Sequence, residues 1–417
     1  MRKRYLLLFV VIAGLGYYFY VSRPDRYDPD RYYEDRQDEI MTRFLLAEDS
    51  TVLELPAGHF RFDRSLSLDG PTALTIRGAG IDKTVLSFLG QEEGAEGLRI
   101  ANGRDVVIED LTVEDAAGDN IKVMDTDGIT FRRVKVAWTG PIDGSNGAYG
   151  FYPVLCRNVL IEDCVSMGAS DAGVYVGQSE EVVVRRNQVY QNVAGIESEN
   201  SARVEIYDND CYDNTGGILV FNLPGLTRYG NGVRVYGNRV RENNRSNFGV
   251  SGSIVSMIPA GTGMLVLATE DVAFTGNEVT DHRTLGLGVI SYELVAALSG
   301  ETTTPEEDHG DIRFVEADWR RDTAYNPYPS GITVSGNTFR NDYWLPNLGS
   351  DFGKLFLSKL GFTVPDVVYD GIRPEGAGPA AFCVEQPEAT FVDMDAANDF
   401  AGWSTEAPTA ACGTNTK

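Results

Sequence analysis

Zinc ligands are scarce in this sequence of 417 residues. Its three histidines, His59, His282 and His309, stand far apart, and its five cysteines include no CxxC pair. Zinc sites need clustered Cys and His ligands, so we expect no metal centre of that kind.

Positive charge is scarce as well, because 36 Lys and Arg face 61 Asp and Glu, for a net charge of −25. Nucleic acids are bound by clustered Lys and Arg, so we expect no nucleic-acid partner. Apolar residues make up 42% of the chain, enough for a buried core. Its 45 glycines and 20 tyrosines favour a turn-rich β protein.

A long apolar run near the N-terminus, residues 5–21, follows the basic residues Arg2, Lys3 and Arg4. This arrangement is typical of a secretory signal. No small-residue cleavage site follows, and the run ends in aromatic residues that suit a membrane interface. Residues 1–27 therefore predict export to the periplasm with an inner-membrane anchor at 5–21, or secretion if the segment is cleaved. We expect membrane contact through this segment alone.

The five cysteines divide into two groups. Cys156, Cys164 and Cys211 lie in strand-like segments, where small buried residues are expected. Cys383 and Cys412 lie in an irregular tail, and in an exported chain they are the best candidates for a disulfide.

A repeat runs through most of the chain. Residues 184–196 match residues 206–218 at a shift of 22, and asparagines recur in the same place at Asn187, Asn209, Asn238, Asn277 and Asn337. Short strands at this period predict a stacked all-β solenoid in which the asparagines form a ladder. We expect a linker and capping helix at 28–50, coils at 51–340 with an insertion at 298–329, and a covering C-terminal segment at 341–417.

Longer motifs add a resemblance to a known fold group. Residues 51–58 and 74–80 are similar to the first coil of the right-handed parallel β-helix group that includes pectate lyases and mannuronan epimerases. Four further segments resemble one family of exported parallel β-helix repeat proteins: 146–153, 168–179, 192–201 and 215–225. The resemblance implies a single right-handed parallel β-helix, a signal or lipoprotein leader and a co-exported partner protein. That family has no established activity, and the Asp-Pro-His-Asp signature of the epimerases is absent here.

Alternation along the strands identifies one surface of the solenoid as a candidate site. Ile121 and Ile196 are apolar and must point into the core. Their strand neighbours Lys122 and Glu197 must therefore point outward. Two outward columns then follow: Arg99, Lys122, Tyr152, Tyr175 and Glu197 in one, and Glu199 and Phe221 in the other. Asp171 lies at the turn before Tyr175. We expect these residues on an exposed sheet face between the loops 137–148 and 241–262.

The residue types allow several kinds of chemistry. A uronic-acid lyase or C5-epimerase needs a cation for the carboxylate, a base and an acid, for which we take Lys122, Tyr175, Asp171 and Glu197 as catalytic candidates. Substrate contacts are expected from Arg99, Tyr152, Glu199 and Phe221. A hydrolase could instead use Asp171 with Glu197, and the three carboxylates Asp171, Glu197 and Glu199 could hold Ca²⁺.

Binding without catalysis remains the main alternative. The same face could contact a polysaccharide or a co-exported protein, and Tyr152 and Tyr175 could stack only on each other. We take binding as the first interpretation and lyase or epimerase activity as the second.

Overall fold

The structure is a computed structural model that describes residues 33–299, 319–374, 376 and 382–408. The predicted signal segment 1–27 and Cys412 lie outside the described residues, as does 300–318 of the predicted insertion. In the described part of the chain, no helix is long and apolar enough to cross a membrane.

The strands stack in parallel into two sheets. Sheet A, the larger, has 19 short strands. Its strands are Val52–Glu54, Gly58–Arg61, Thr75–Arg77, Thr84–Ser87, Arg104–Glu114, Asp127–Ala137, Arg157–Glu162, Val165–Met167, Glu180–Arg185, Gln188–Tyr190, Ala202–Tyr207, Asp210–Tyr212, Asn231–Tyr236, Arg239–Arg241, Glu270–Thr275, Glu278–Thr280, Ile332–Ser335, Thr338–Arg340 and Phe382–Glu385.

Sheet B lies opposite sheet A and has one strand per coil, 11 in all. Its strands are Arg64–Asp69, Glu93–Ala101, Ile121–Met124, Tyr149–Val154, Ala172–Gly177, Ala194–Glu199, Gly216–Phe221, Thr262–Leu267, Leu285–Ile290, Val367–Tyr369 and Phe391–Asp393. Each strand pairs in register with the strand one coil away, as Ile196 does with Ile218. The predicted solenoid is therefore confirmed.

The core fills the space between the two sheets. All seven sheet B positions that alternation placed inward are fully buried: Leu98, Ile121, Phe151, Val174, Ile196, Ile218 and Met264. One coil cannot bury this apolar row alone, so neighbouring coils continue a single core along the whole solenoid.

Asparagine ladders hold the coils at the turns. The Asn187 side-chain amide donates a 2.9 Å hydrogen bond to Asn209 Oδ1, and the same bond links Asn209 to Asn238, Asn238 to Asn277 and Asn277 to Asn337. The sequence analysis missed a second ladder, in which Asn192 donates to Asn214 and Asn214 to Asn243. Its members follow those of the first ladder by five residues. These bonds satisfy polar groups that the turns would otherwise bury unpaired.

The helices are few and lie outside the coils. The N-terminal helix Gln37–Leu45 matches the predicted capping helix and adds Ile40 and Phe44 to the main core, while its role as a cap stays a prediction. The helices Tyr292–Leu298 and Asp351–Leu360 belong to the second half. Short 3₁₀ helices occupy Ile254–Met257, Trp319–Arg321 and Ala396–Asn398.

The solenoid continues past residue 340, where the sequence analysis ended it. Val367–Tyr369 pairs with Leu287 to Val289 in sheet B, and Phe382–Glu385 pairs with Ile332–Ser335 in sheet A. The repeat is hard to see there because the three remaining strands, Val367–Tyr369, Phe382–Glu385 and Phe391–Asp393, are short and are joined by irregular segments. The predicted boundary was therefore wrong.

The cysteines follow the expected division as far as the structure describes them. Cys156, Cys164 and Cys211 are free and buried. Cys383 is buried and disulfide-bonded. Because Cys412 is not among the described residues, its pairing with Cys383 stays a prediction.

The outer face of sheet A carries a network of buried carboxylates and arginines. The Glu162 side chain is only 6% exposed and accepts hydrogen bonds of 2.7–2.9 Å from Arg132, Arg185 and Arg186. Burial alone would raise the pKa of Glu162, but these three guanidinium groups outweigh it and lower the pKa to about 2. The arginines come from coils on both sides of Glu162, so the network joins neighbouring coils.

Candidate functional site

The outer surface of sheet B is called face B from here on. The predicted site residues lie on it in adjacent coils. Arg99 lies opposite Lys122, and Lys122 lies opposite Tyr152. Tyr175 lies opposite Glu197, and Glu199 lies between Gly177 and Phe221. Alternation along the strands therefore gave the correct register.

The expectation that all of these side chains are exposed was wrong. Five of them are at most 6% exposed: Tyr152, Tyr175, Glu197, Glu199 and Phe221. Arg99, Lys122 and Asp171 are partly buried. Face B thus has an open half around Arg99 and Lys122 and a covered half from Tyr152 onward.

Two loops cover the second half by meeting above it. A Cβ built on Gly144 would lie 2.9 Å from the Phe248 carbonyl oxygen, and one on Gly249 would lie 3.5 Å from the Ser170 carbonyl oxygen. The loop 241–262 also places the fully buried Val255 in one apolar cluster with Tyr152 and Tyr175. The predicted loops 137–148 and 241–262 therefore form a roof over face B and do not merely flank it.

Three tyrosines pack at the boundary between the two halves. The ring centroids of Tyr149, Tyr152 and Tyr175 lie 4.5–5.0 Å apart. The Tyr175 ring lies over Gly177, where a Cβ would approach it to 2.3 Å, so glycine is needed there. Tyr152 and Tyr175 do pack on each other, edge to face with an interplanar angle of 81°, which agrees with the structural alternative considered for them. Only Tyr149 of the three is partly exposed.

Beneath the roof lies a cluster of carboxyl groups without a cation. The Tyr175 hydroxyl donates a 2.8 Å hydrogen bond to Glu199 Oε1, and Glu197 Oε2 finds no donor among the described residues. Asp171 is the third member. In the described part of the chain, none of the three carboxyls takes part in a salt bridge.

Burial makes these carboxyl groups hold protons near neutral pH. Desolvation, with the Tyr175 hydrogen bond opposing it, raises the pKa of Glu199 to about 7. Desolvation and the nearby Glu199 and Asp119 raise the pKa of Asp171 to about 8. The pKa of Glu197 is raised well above its ordinary value by its burial and by Asp171 and Glu199.

Lys122 marks the edge of the open half. Its ammonium lies 3.5 Å from Glu96 Oε1, 3.9 Å from Asp119 Oδ2 and 5.1 Å from the centre of the Tyr152 ring. Burial raises the pKa of Asp119 to about 7, although Lys122 opposes the rise. Arg99, one coil away, makes no ion pair or hydrogen bond within the described ranges.

Phe221 belongs to a different environment. It lines an apolar cavity of about 60 Å³ together with Leu265 and Leu267. The side chain is 1% exposed, so the expected exposure of Phe221 was wrong, and its role in substrate binding stays a prediction.

The sequence analysis missed three members of the site: Glu96, Asp119 and Tyr149. Each stands three residues before an outward residue of its coil, namely Arg99, Lys122 and Tyr152. The same offset in three successive coils was a usable signal. It indicates a third column of side chains, three residues before the column that contains Arg99, Lys122 and Tyr152.

No group of three or more His, Cys, Asp or Glu side chains within the described ranges is arranged to hold a metal ion. Calcium at Asp171, Glu197 and Glu199 therefore stays a prediction without a coordination geometry behind it. The groups present can instead bind an anion at Arg99 and Lys122 and hold or release protons at Asp119 and Asp171.

Comparisons with known proteins concern the fold. No curated protein sequence matches the chain. Among solved structures, the A-module of the mannuronan C-5 epimerase AlgE4 from Azotobacter vinelandii is 15% identical, with a TM-score of 0.48 over 81% of this chain and 90% of that one. A polygalacturonase from Erwinia carotovora ssp. carotovora is 10% identical, with a TM-score of 0.48 over 76% and 91%. DFA-IIIase from Arthrobacter chlorophenolicus A6 is 13% identical, with a TM-score of 0.44 over 89% and 84%.

A family described as a right handed beta helix region matches residues 96–293, which contain most of face B. The match covers the coils in which parallel strands, inward apolar rows and asparagine ladders are all present. These observations together identify the chain as a right-handed parallel β-helix protein.

Proposed function

We propose that this protein is exported and binds an acidic polysaccharide across the open half of face B. Export is supported by the basic residues 2–4 followed by the apolar run 5–21. The observation that carries the binding proposal is Arg99, a partly exposed cation without a partner among the described residues, next to Lys122 in a chain of net charge −25.

The residues of the open half suit a sugar carboxylate. A guanidinium can bind a carboxylate through two parallel hydrogen bonds, and these are stronger than bonds between neutral groups. Neighbouring coils are about 4.8 Å apart, so Arg99 and Lys122 present two cations along one line. Tyr149, partly exposed beside them, offers a ring face to a sugar.

The experiment is a binding titration of the purified protein with a polygalacturonate or alginate oligosaccharide and with a neutral glucan of equal length. We expect binding of the uronate that weakens with salt and falls about tenfold in Arg99→Gln, because one charge-assisted contact is lost. Arg234→Gln is the matched control, since Arg234 is an exposed arginine of sheet A with only a 4.0 Å partner.

Equal binding by the parent protein and Arg99→Gln would overturn the proposal. Binding of the neutral glucan without binding of the uronate would overturn the proposal as well. In either case a co-exported protein partner would become the better explanation of the open half.

Lyase or C5-epimerase activity is the second candidate function. It is favoured by Asp119 and Asp171, whose raised pKa values of about 7 and 8 suit proton transfer near neutrality. Lys122 lies within 3.9 Å of Asp119 and could neutralise a uronate. Glu197, the earlier catalytic candidate, is covered by the roof and is set aside unless the roof opens.

This second function predicts a product that can be measured. A lyase forms an unsaturated uronate with a strong ultraviolet absorbance, and an epimerase exchanges the C5 hydrogen for deuterium in D₂O. We expect either signal to disappear in Asp171→Asn while uronate binding persists. Absence of both signals in the parent protein leaves binding alone.

A further inference from the structure

A second concave site lies beside the roof, outside face B. It is a groove of about 600 Å³ between the loop 241–262 and the segment that follows residue 340. Its walls include Phe248 and Tyr343, and its floor carries Asp213, Glu242 and Arg245. This volume lies within the range of small-molecule sites.

The walls of the groove are held in place by internal hydrogen bonds. The Asn247 amide donates to the carbonyls of Val255 and Ile258 at 2.8 and 2.9 Å. The Asn244 amide donates to the Asp281 carbonyl at 2.8 Å. Tyr343 lies 4.4 Å below the Arg283 guanidinium. A preformed groove loses little conformational entropy when a ligand binds.

The polar groups that remain available are mainly acceptors. Arg245 is already engaged, because it donates a 2.7 Å hydrogen bond to Asp213. Glu242 is 58% exposed, and its ion-pair contact, with Arg241, is long at 3.8 Å. The exposed Ser246 hydroxyl adds a small group that can both donate and accept.

We propose that this groove binds a neutral sugar unit. Carboxylates accept hydrogen bonds from vicinal hydroxyls, and the aromatic rings of Phe248 and Tyr343 can pack against the apolar face of a sugar. Among the lining residues, Arg245 is paired with Asp213, which leaves Glu242 with only its long contact to Arg241. A carboxylate with so weak a partner disfavours a uronate there. The groove and the open half of face B therefore select sugars of different charge, and the groove proposal does not depend on the uronate site.

The test uses the full chain with two neutral probes, cellohexaose and maltohexaose, and a uronate hexasaccharide as the charged comparison. Saturation-transfer NMR and calorimetry should show binding of at least one neutral probe. We expect about tenfold weaker binding in Glu242→Gln and a smaller loss in Ser246→Ala, because charged acceptors make the stronger hydrogen bonds.

Glu278→Gln is a closely matched control. Glu278 is 51% exposed and has an arginine at 3.7 Å, much as Glu242 has, but it lies on sheet A. We expect the Glu278→Gln variant to bind the neutral probe as tightly as the parent protein does. Arg99→Gln should also leave neutral-probe binding unchanged, which separates this site from the open half of face B.

Two results would overturn the proposal. One is the absence of binding of either neutral probe at millimolar concentration. The other is equal binding by Glu242→Gln and the parent protein, which would place the ligand elsewhere.

Discussion

Glu162 on sheet A and Glu197 on face B are nearly equivalent in position and opposite in electrostatics. Both point outward from a strand, and both are buried. Glu162 is surrounded by three arginines and its pKa is about 2. Glu197 faces Asp171 and Glu199, and burial together with those neighbours raises its pKa well above the ordinary value.

Glu162 is a carboxylate that links neighbouring coils through ion pairs, whereas Glu197 is a buried carboxyl group without such links in the described part of the chain. An ionised carboxylate with good hydrogen bonds can lie in a buried position, whereas one without partners becomes neutral. Sheet A shows that this fold can pair a buried carboxylate with arginines. The fold itself therefore does not explain why the carboxyl groups beneath the roof of face B lack cationic partners among the described residues. Groups with strongly perturbed pKa values tend to gather at functional sites, so this region is the better candidate.

The largest expected effect is on the pH dependence of stability. Glu199 and Asp171 have folded pKa values of about 7 and 8, above the ordinary values of 4.5 and 3.8. The folded state therefore binds more protons, and the free energy of unfolding should fall by about 6 kcal/mol as pH rises from 5 to 8. Urea unfolding followed by circular dichroism measures this.

The double variant Asp171→Asn/Glu199→Gln provides the control for that slope. It keeps two polar groups but removes the two titrating ones, so its stability should change less over the same pH range. Glu162 acts in the opposite direction: its pKa is lowered, so its contribution is lost as pH falls from about 4.5 toward 2. A parent protein equally stable at pH 5 and 8 would contradict the carboxyl cluster.

The second effect compares two single substitutions at pH 7. Glu162→Gln removes the charge that three arginines share, and we expect a loss of about 2 kcal/mol in the free energy of unfolding. Glu197→Gln replaces a carboxyl that is already neutral with a neutral group of similar shape. We expect the free energy of unfolding of this variant to stay nearly unchanged or to rise. Equal losses in both variants would remove the distinction between the two regions.

The smallest effect concerns one hydrogen bond beneath the roof. Tyr175→Phe removes the donor to Glu199, so we expect a loss of about 1 kcal/mol at pH 5. The pKa of Glu199 should rise above about 7, because that hydrogen bond lowers it. Carbon-13 NMR titration of the carboxyl groups measures the shift.

Tyr149→Phe is the matched control for that experiment. Its ring belongs to the same cluster, but its hydroxyl makes no hydrogen bond within the described part of the chain. The titration of Glu199 should stay close to that of the parent protein. If both variants shift it equally, the Tyr175 contact is not the cause.

Most of the fold could be predicted from local pattern. Strand alternation fixes which residue faces the core, since a one-residue slip would turn Lys122 and Glu197 into the core between the sheets and Ile121 and Ile196 away from it. The in-register asparagines gave the first ladder. The second ladder repeats the same shift and could have been found with it, as Asn192, Asn214 and Asn243 show.

The surroundings of face B could not be predicted in this way. Strand register determines the direction of the Glu197 side chain but not which segments cover it. Its cover comes from the loop 241–262, a distant part of the sequence that contributes Val255 to the same apolar cluster as Tyr175. Burial, and with it the pKa of each carboxyl, depends on such long-range contacts, so the register of these residues was predicted correctly while the exposure of most of them was not.

The first asparagine ladder has an evolutionary consequence. Its links join residues 22, 29, 39 and 60 positions apart, yet each amide-to-amide bond is 2.9 Å long. A coil can therefore accept an insertion of almost any length at its outer turns without disturbing the next coil. Descendants of such a chain could exchange the loops above face B and beside the groove while inheriting the scaffold unchanged. Ligand preference would then diverge much faster than architecture.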